Sequence, residues 1–339
     1  MLNPSAPQYL RQIRRCQYSA ISTRITDLNA RIDSGAPRPS AQAELPANLS
    51  PLLVDAVRFR ADFDRNPFGF THRLSDLALF QPDSIRDLAA AYAPHPREYF
   101  VAASAPSAGT AFDAVPHSQC GPVEALDRLA VTPTRLLLKR PENRDPRFRQ
   151  LLDTFFAQVL ELRGGLQGER VVRLESAIFV TSAAATTPLH FDPEIAFFTQ
   201  IEGEKIYHVY PPATLSDPVI EDFYRHGRVS IAQIDLAACD PAREQVYILG
   251  PGKGLHQPQN SPHWVETRAT RSVSYSIVFE TDASRARGRV RAFNHYLRKI
   301  GVRPTAPGTN QTVDFLKSRV MRIATPVRNR VRRRFGLQT

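Results

Sequence analysis

Past the glycine pair Gly164-Gly165 the chain changes period, and nothing else in it limits the fold as strongly. Upstream, Asp145-Pro-Arg-Phe-Arg-Gln-Leu-Leu-Asp-Thr-Phe-Phe-Ala-Gln-Val-Leu-Glu-Leu repeats its apolar residues every three to four positions. That is the spacing of an amphipathic helix, and the glycines stop it. Downstream the apolar runs are short and rich in β-branched and aromatic residues. They are Ser176-Ala-Ile-Phe-Val-Thr, Ile195-Ala-Phe-Phe-Thr-Gln-Ile, Lys205-Ile-Tyr-His-Val-Tyr, Gln245-Val-Tyr-Ile-Leu and Ser272-Val-Ser-Tyr-Ser-Ile-Val-Phe. Gly, Pro, Asn and Asp turns divide them, which predicts a mainly β sandwich or barrel.

A chain of 339 residues has room for about two domains and for a real core. Residues 1–98 are predicted mainly helical. One helix runs through Pro51-Leu-Leu-Val-Asp-Ala-Val-Arg-Phe behind a Ser50 cap signal, and another through Asp83-Ser-Ile-Arg-Asp-Leu-Ala-Ala-Ala-Tyr, ended by Pro94. Residues 34–52 read as a loop, and Tyr99-Phe-Val-Ala-Ala as a first strand. The divisions that result are 1–98, helical; 99–283, β core; and 284–339, a C-terminal helical region. Pro211-Pro212 and Gly250-Pro-Gly-Lys-Gly254 read as turn punctuation. Gly250-x-Gly252-x-Gly254 has no helix behind it, so it is no phosphate-binding fingerprint.

Hydrophobic residues at 42% and charged residues at 23% exclude disordered and fibrous classes. No run reaches the ~18 to 20 apolar residues of a membrane span. The first residues carry arginines with no apolar segment after them, so the expected location is cytoplasmic. Cys16, Cys120 and Cys239 are scattered and odd in number, which supports neither a disulfide framework nor a cysteine zinc site.

The net charge of +11 belongs to one end. From Ser284 onward there are 15 Lys and Arg against the single acid Asp314, while the rest holds 29 bases against 32 acids. Such a tail suits nucleic acid, an anionic membrane or an acidic partner, or simply forms a solvated arginine-rich surface. Within it Val313, Leu316, Val320, Ile323, Val327 and Val331 recur at three- and four-residue spacing, one apolar face among arginines. Thr325-Pro326 suits a fresh helix start, which predicts two short helices. The chain also uses only five lysines, at 139, 205, 253, 299 and 317. A lysine inside an apolar run therefore needs a reason.

Thr187-Pro-Leu-His190-Phe-Asp192 carries the chemistry. On an extended strand positions i and i+2 share a face, so His190 and Asp192 offer an imidazole and a carboxylate to one point. A lone H-x-D is common by chance. Asn260-Ser-Pro-His263-Trp-Val-Glu adds a second histidine just before the last strong strand, and two histidines with one carboxylate make the facial triad that suits non-haem Fe(II). Lys205 opens an apolar strand after Glu202-Gly-Glu204, here taken as a hairpin turn. A lysine aimed into a barrel is costly unless an anion meets it. The plain alternative is a solvated turn lysine. His208 has the opposite strand parity from Lys205, and His256 reads as a loop histidine. His72, His95, His117, His226 and His295 have no partner spacing, and Trp264, Tyr207, Tyr210 and Tyr275 read as core or pocket wall.

The stretch from His190 through Lys205 to Pro212 resembles the core of the JmjC/cupin-like 2-oxoglutarate oxygenases. Within that family it is especially similar to the asparaginyl hydroxylase that acts on hypoxia-inducible factor, and to bacterial cupin-like jumonji proteins. Pro262-His263-Trp-Val-Glu and the strand Ser272–Phe279 resemble the family's distal-histidine strand and its successor. The resemblance is specific over about 176–280. It implies a double-stranded β-helix (jelly roll) with metal ligands His190, Asp192 and His263. It implies that Lys205 and the Thr187 hydroxyl hold the distal carboxylate of 2-oxoglutarate, with Phe198 and Val265 beside it. Ala196 and Val278 stand where the hydroxylase has amides near the cosubstrate. The activity implied is an Fe(II)- and 2-oxoglutarate-dependent oxygenase that consumes O2, a hydroxylase of a protein side chain or small molecule, and a homodimer through C-terminal helices. The alternative is a non-catalytic cupin-like binding protein whose basic tail docks on nucleic acid or an anionic membrane.

Overall fold

The computed structural model describes residues 45–46, 49–102, 106–110, 115, 117–225, 232–233 and 239–334. In chain order its strands begin with β1 (Phe68–Thr71), β2 (Tyr99–Ala102), β3 (Arg135–Lys139), β4 (Val171–Thr181), β5 (Thr186–Phe191) and β6 (Ile195–Glu202). They continue with β7 (Lys205–Val209), β8 (Ala232–Gln233), β9 (Gln245–Leu249), β10 (Lys253–Gln257), β11 (Pro262–Thr267) and β12 (Ser272–Thr281). Two antiparallel sheets result, ordered β1-β10-β6-β12-β4-β3-β2 and β8-β5-β11-β7-β9.

From β4 to β7 the chain switches sheet at every step, and it does so again from β9 to β12. Two facing sheets wound in this alternating way are a double-stranded β-helix, the jelly roll expected from the sequence. The turn after β6 is therefore no hairpin, because it hands the chain from one sheet to the other. Gly203 makes that turn at φ 71°, where a Cβ would stand 2.2 Å from the Arg271 carbonyl oxygen.

The main core lies outside the sandwich. Helix α1 (Ala56–Asp62), α2 (Pro82–Tyr92) and α4 (Pro146–Arg163) contribute to one apolar cluster with the seven-stranded sheet, while α3 (Pro122–Arg128) packs beside α2. Phe155 of α4 meets Phe197 at 5.6 Å between ring centroids, and Phe148 meets Tyr275 at 6.0 Å. Asp145 caps the α4 N-terminus and Gly164, at φ 83°, ends it as the sequence predicts. A second cluster, Leu189, Phe191, Tyr210, Leu215 and Ile220 with Trp264, brings α5 (Asp217–Tyr224) against the five-stranded sheet. Between the sheets the apolar filling is thin: Phe198, Tyr207, Val209, Leu249, Leu255 and Val265. They line the inter-sheet space, the chamber, together with buried polar side chains.

Several elements differ from the sequence reading. Strand β1 falls within 1–98 and pairs with β10, so the sheet draws on the region expected to be helical. Helix α1 starts at Ala56 under an Asp55 cap, because Leu53 is held in a β-bridge to Thr71. Lys253 and Gly254, taken as part of a turn, begin β10. The C-terminal helices are α6 (Asp282–Lys299), opened by a Thr281/Ser284 capping box, and α7 (Gln311–Arg334). Helix α7 runs straight through Pro326 instead of restarting there. The carbonyl of Arg322, left without its N–H partner, lies on an exposed turn where water can serve it. Cys120 and Cys239 are buried, whereas Cys16 and His226 lie outside the described residues. Among the described residues no helix is long and apolar enough to cross a membrane.

Candidate metal centre

His190, on β5, pairs directly with His263, on β11, and both side chains enter the chamber. Thr187 pairs with Val265, so Pro188 and Leu189 of β5 lie opposite the single residue Trp264 of β11. This bulge turns Thr187 and His190 to the same face despite their odd separation. It also places the Pro188 carbonyl 2.7 Å from His190 Nδ1. His263 Nδ1 lies 3.1 Å from the Ser261 carbonyl and 2.7 Å from the Gln257 amide. The Pro188 carbonyl suits a proton on His190 Nδ1, which leaves that Nε2 lone pair for the chamber, while His263 Nδ1 meets both a carbonyl and an amide NH2.

Asp192 follows β5 directly. Its carboxylate stands 4.0 Å from His190 Nε2 and 3.8 Å from His263 Nε2. One ligand atom from each of the three residues falls within 4.8 Å of the others. Burial pushes the His190 imidazole well below its ordinary range, and His263 adds to that. Burial lowers His263 as well, although Asp192 opposes the shift. Burial raises the Asp192 carboxyl, against the pull of His263 and Arg173. Two neutral imidazoles and a desolvated carboxylate fit a divalent cation, which offsets the carboxylate's burial without competing for protons.

Tyr207 lies parallel to the His263 ring at 5.4 Å and donates to Gln257 Oε1 at 2.8 Å. The sequence reads Tyr207 as core or pocket wall, and it stands buried in the inter-sheet cluster beside His263. Gln257 was not singled out by the sequence, because a glutamine in a short polar run carries no periodic signal.

Lys205 opens β7 facing the interior and is 4% exposed, so the solvated-turn alternative does not hold. Its ammonium lies 5.3 Å from the Phe198 ring and 5.8 Å from the Phe179 ring. Burial first, and then the Arg135 charge, press its pKa down to about 7. Val265 and Phe198 sit in the apolar cluster beside it. Ala196 and Val278 face each other across β6 and β12, so the two departures from the hydroxylase form one cross-strand apolar pair. Arg135 on β3, absent from the sequence reading, reaches Thr187 Oγ1 at 3.3 Å. In a chain this rich in arginine, Arg135 had no mark of its own.

The other histidines serve the fold. His208 points out of the chamber, stacks on Trp264 at 3.7 Å and meets Glu244 at 3.2 Å. His256 is not on a loop: it is fully buried on β10, bonded by Asp64 N–H at 3.1 Å and facing the Ala196 carbonyl at 3.2 Å. Burial lowers its pKa to about 3, so it stays neutral. His72 is likewise buried, 3.1 Å from the Lys253 carbonyl.

No protein-family model matches the chain, and no curated protein matches it. Solved structures of YcfD, a ribosomal oxygenase from Escherichia coli, resemble it at 17% identity over 81% of this chain and 67% of that one, with a TM-score of 0.45. A YcfD structure in complex with cobalt and 2-oxoglutarate gives 15% identity, the same coverage and a TM-score of 0.44. At these values the reading of the site rests on its own geometry.

Proposed function

We propose that this chain is an Fe(II)- and 2-oxoglutarate-dependent oxygenase of the JmjC/cupin-like type, acting as a hydroxylase on a protein side chain or small molecule. One observation carries the reading: a His-Asp-His cluster and a buried lysine face the same chamber between the sheets. Bound at the cluster, Fe(II) would supply the redox chemistry that couples O2 and the decarboxylation of 2-oxoglutarate to oxidation of a substrate bond.

The chain's own part is positioning. His190, Asp192 and His263 would hold the metal on one side and leave the other open. The Pro188 carbonyl would keep the His190 proton on Nδ1 and its Nε2 a ligand, and Gln257 and the Ser261 carbonyl would hold the His263 ring in place through Nδ1. Lys205 and the Thr187 hydroxyl would take the far carboxylate of 2-oxoglutarate, while Phe198 and Val265 exclude water from it. An ammonium in so dry a setting binds a carboxylate far more strongly than it would in solvent.

Anaerobic titration with Fe(II), then 2-oxoglutarate, tests the reading. The weak visible charge-transfer band of a chelated 2-oxoacid is expected, followed by succinate release on admitting oxygen. A protein that binds neither is the cupin-like binding module instead.

The outward face of α7 supports a further proposal, that two copies of the chain meet there. Lys317, Ser318 and Met321 pack inward toward α6, while Leu316, Val320, Ile323 and Val327 remain exposed on the other side. The surrounding arginines make an anionic surface the competing occupant.

A further inference from the structure

The three residues of the candidate metal centre are not placed by the same means. His190 and His263 sit opposite each other in the β5–β11 ladder, which ends at Phe191 and Pro262. Asp192 lies one residue past that ladder, and β6 begins only at Ile195. Within Asp192-Pro193-Glu194 the first two carbonyls are taken up from outside. Asn260 N–H donates to the Asp192 carbonyl at 2.8 Å, and the Gln259 side-chain amide donates to the Pro193 carbonyl at 2.8 Å. Both donors come from residues 258–261, the loop between β10 and β11. Asn260 is left-handed there, at φ 64°, a conformation asparagine adopts more readily than most side chains.

The loop is held in turn by elements outside the jelly roll. The Tyr224 hydroxyl of α5 donates to Asn260 Oδ1 at 2.8 Å and lies 3.4 Å from the Gln259 amide nitrogen. Asp64, two residues past α1, accepts the Gln259 N–H at 3.0 Å. Arg287 of α6 bridges Asp64 Oδ2 and Gln259 Oε1, at 2.9 and 3.1 Å. Asn260 and Gln259 are both buried, so a partner removed here leaves a polar group that solvent does not serve.

Tyr224 has little freedom of its own. Helix α6 crosses its ring at Gly288, where a Cβ would stand 2.6 Å from Tyr224 Cε1. Ion pairs Arg291–Asp217 at 3.2 Å and Arg298–Glu221 at 2.6 Å fasten α6 to α5, and Glu221 is fully buried. A carboxylate whose backbone is fixed in advance needs no reordering when a cation arrives. Groups behind a metal ligand raise affinity in this way.

We propose that Tyr224, Asn260 and Gln259 form a positioning chain that sets Asp192 from outside the jelly roll, so that the packing of α6 on α5 tunes how tightly the triad holds a metal. The inference rests on reading His190, Asp192 and His263 as metal ligands, and it gives none of the three positioning residues a contact with the metal.

The test is Co(II) titration of the full chain, followed by calorimetry and by the visible ligand-field absorption of the bound ion. Tyr224→Phe keeps the ring against Gly288 and removes only the hydroxyl. It should weaken Co(II) binding about tenfold, the lower end for groups behind a metal ligand, and alter the absorption spectrum. Gly288→Ala drives a methyl into the ring and should do the same or more. Ser284→Ala loosens the α6 cap without reaching Tyr224. It should lower the melting temperature and leave Co(II) affinity and spectrum unchanged. Native affinity and spectrum in Tyr224→Phe overturn the positioning chain. So does an equal loss of affinity in Ser284→Ala, which would mark a general loosening of the fold. A native chain that takes up no Co(II) overturns the metal-centre reading itself.

Discussion

The space between the sheets and the outer face of α7 break the usual partition of residues in opposite directions. In the chamber, Lys205 and Arg135 are 4% and 8% exposed beside buried His190 and His263. On α7, Leu316 and Ile323 are 58% and 66% exposed on a helix dense in arginine. A buried charge and an exposed apolar stripe are both unfavourable in the isolated chain. Each becomes favourable once something complementary arrives. The difference lies in how fully the protein describes the arrival. Inside, a His-Asp-His cluster and a buried lysine at fixed positions define the chemistry that a proposed cation and anion would meet. Outside, a stripe on a single helix specifies only that something apolar covers it.

The largest effect is expected inside. Asp192→Ala should abolish metal uptake and 2-oxoglutarate turnover while leaving a folded protein, because it removes a half-buried carboxylate and no core volume. Inductively coupled plasma analysis with a melting curve checks this, and full metal content in the variant would break the inner half of the comparison. Next in size, Lys205→Met keeps the apolar stem and removes the charge. Metal should still bind, and 2-oxoglutarate affinity should fall about ten- to hundredfold.

The third effect is pH-dependent. With its pKa near 7 rather than 10.5, Lys205 loses its proton in the anion-free folded chain as pH rises through 7. Binding a carboxylate then requires proton uptake, so 2-oxoglutarate affinity should fall by up to about tenfold per pH unit above 7. Between about 7 and 10.5 the unfolded chain holds one more proton at this lysine than the folded one. The lysine's contribution to stability therefore rises with pH across that window and is flat below it. Calorimetry in buffers of different ionisation enthalpy detects the uptake, and it should vanish in Lys205→Met. The smallest effect is expected on α7. Leu316→Glu with Ile323→Glu should shift stability by less than about 0.5 kcal/mol per site, since both residues are exposed. The same pair should turn a sedimenting dimer into a monomer. If the native chain is already monomeric, and salt-sensitive binding to anionic vesicles is lost in the variant, the stripe meets a membrane surface instead.

Much of the inner site was legible in the sequence. The β runs, the His190-x-Asp192 spacing, His263 before the last strand and one lysine in an apolar run are all local patterns, and local patterns survive without coordinates. Arg135 was not legible, because its contact with Thr187 depends on β3 facing β5 across the sandwich, and 52 residues separate the two. Nor was the β5 bulge, since i, i+2 parity places His190 and Asp192 together but says nothing of Thr187. The burial of His256 depended on β1 and α1 folding back over β10, from a region that reads as helical.

By itself, then, the sequence determined the jelly-roll class and marked a candidate metal-ligand set, because two-residue alternation and turn residues act over a few positions. It also determined an apolar face on the C-terminal helix, through three- and four-residue spacing. Only the tertiary structure decided which cations share the chamber and that α7 continues through Pro326. It alone decided that the largest apolar core lies behind the seven-stranded sheet rather than between the sheets. Those outcomes depend on which distant surfaces meet. Burial energy scales with the area two elements cover together, and no single segment carries that quantity in its own residues.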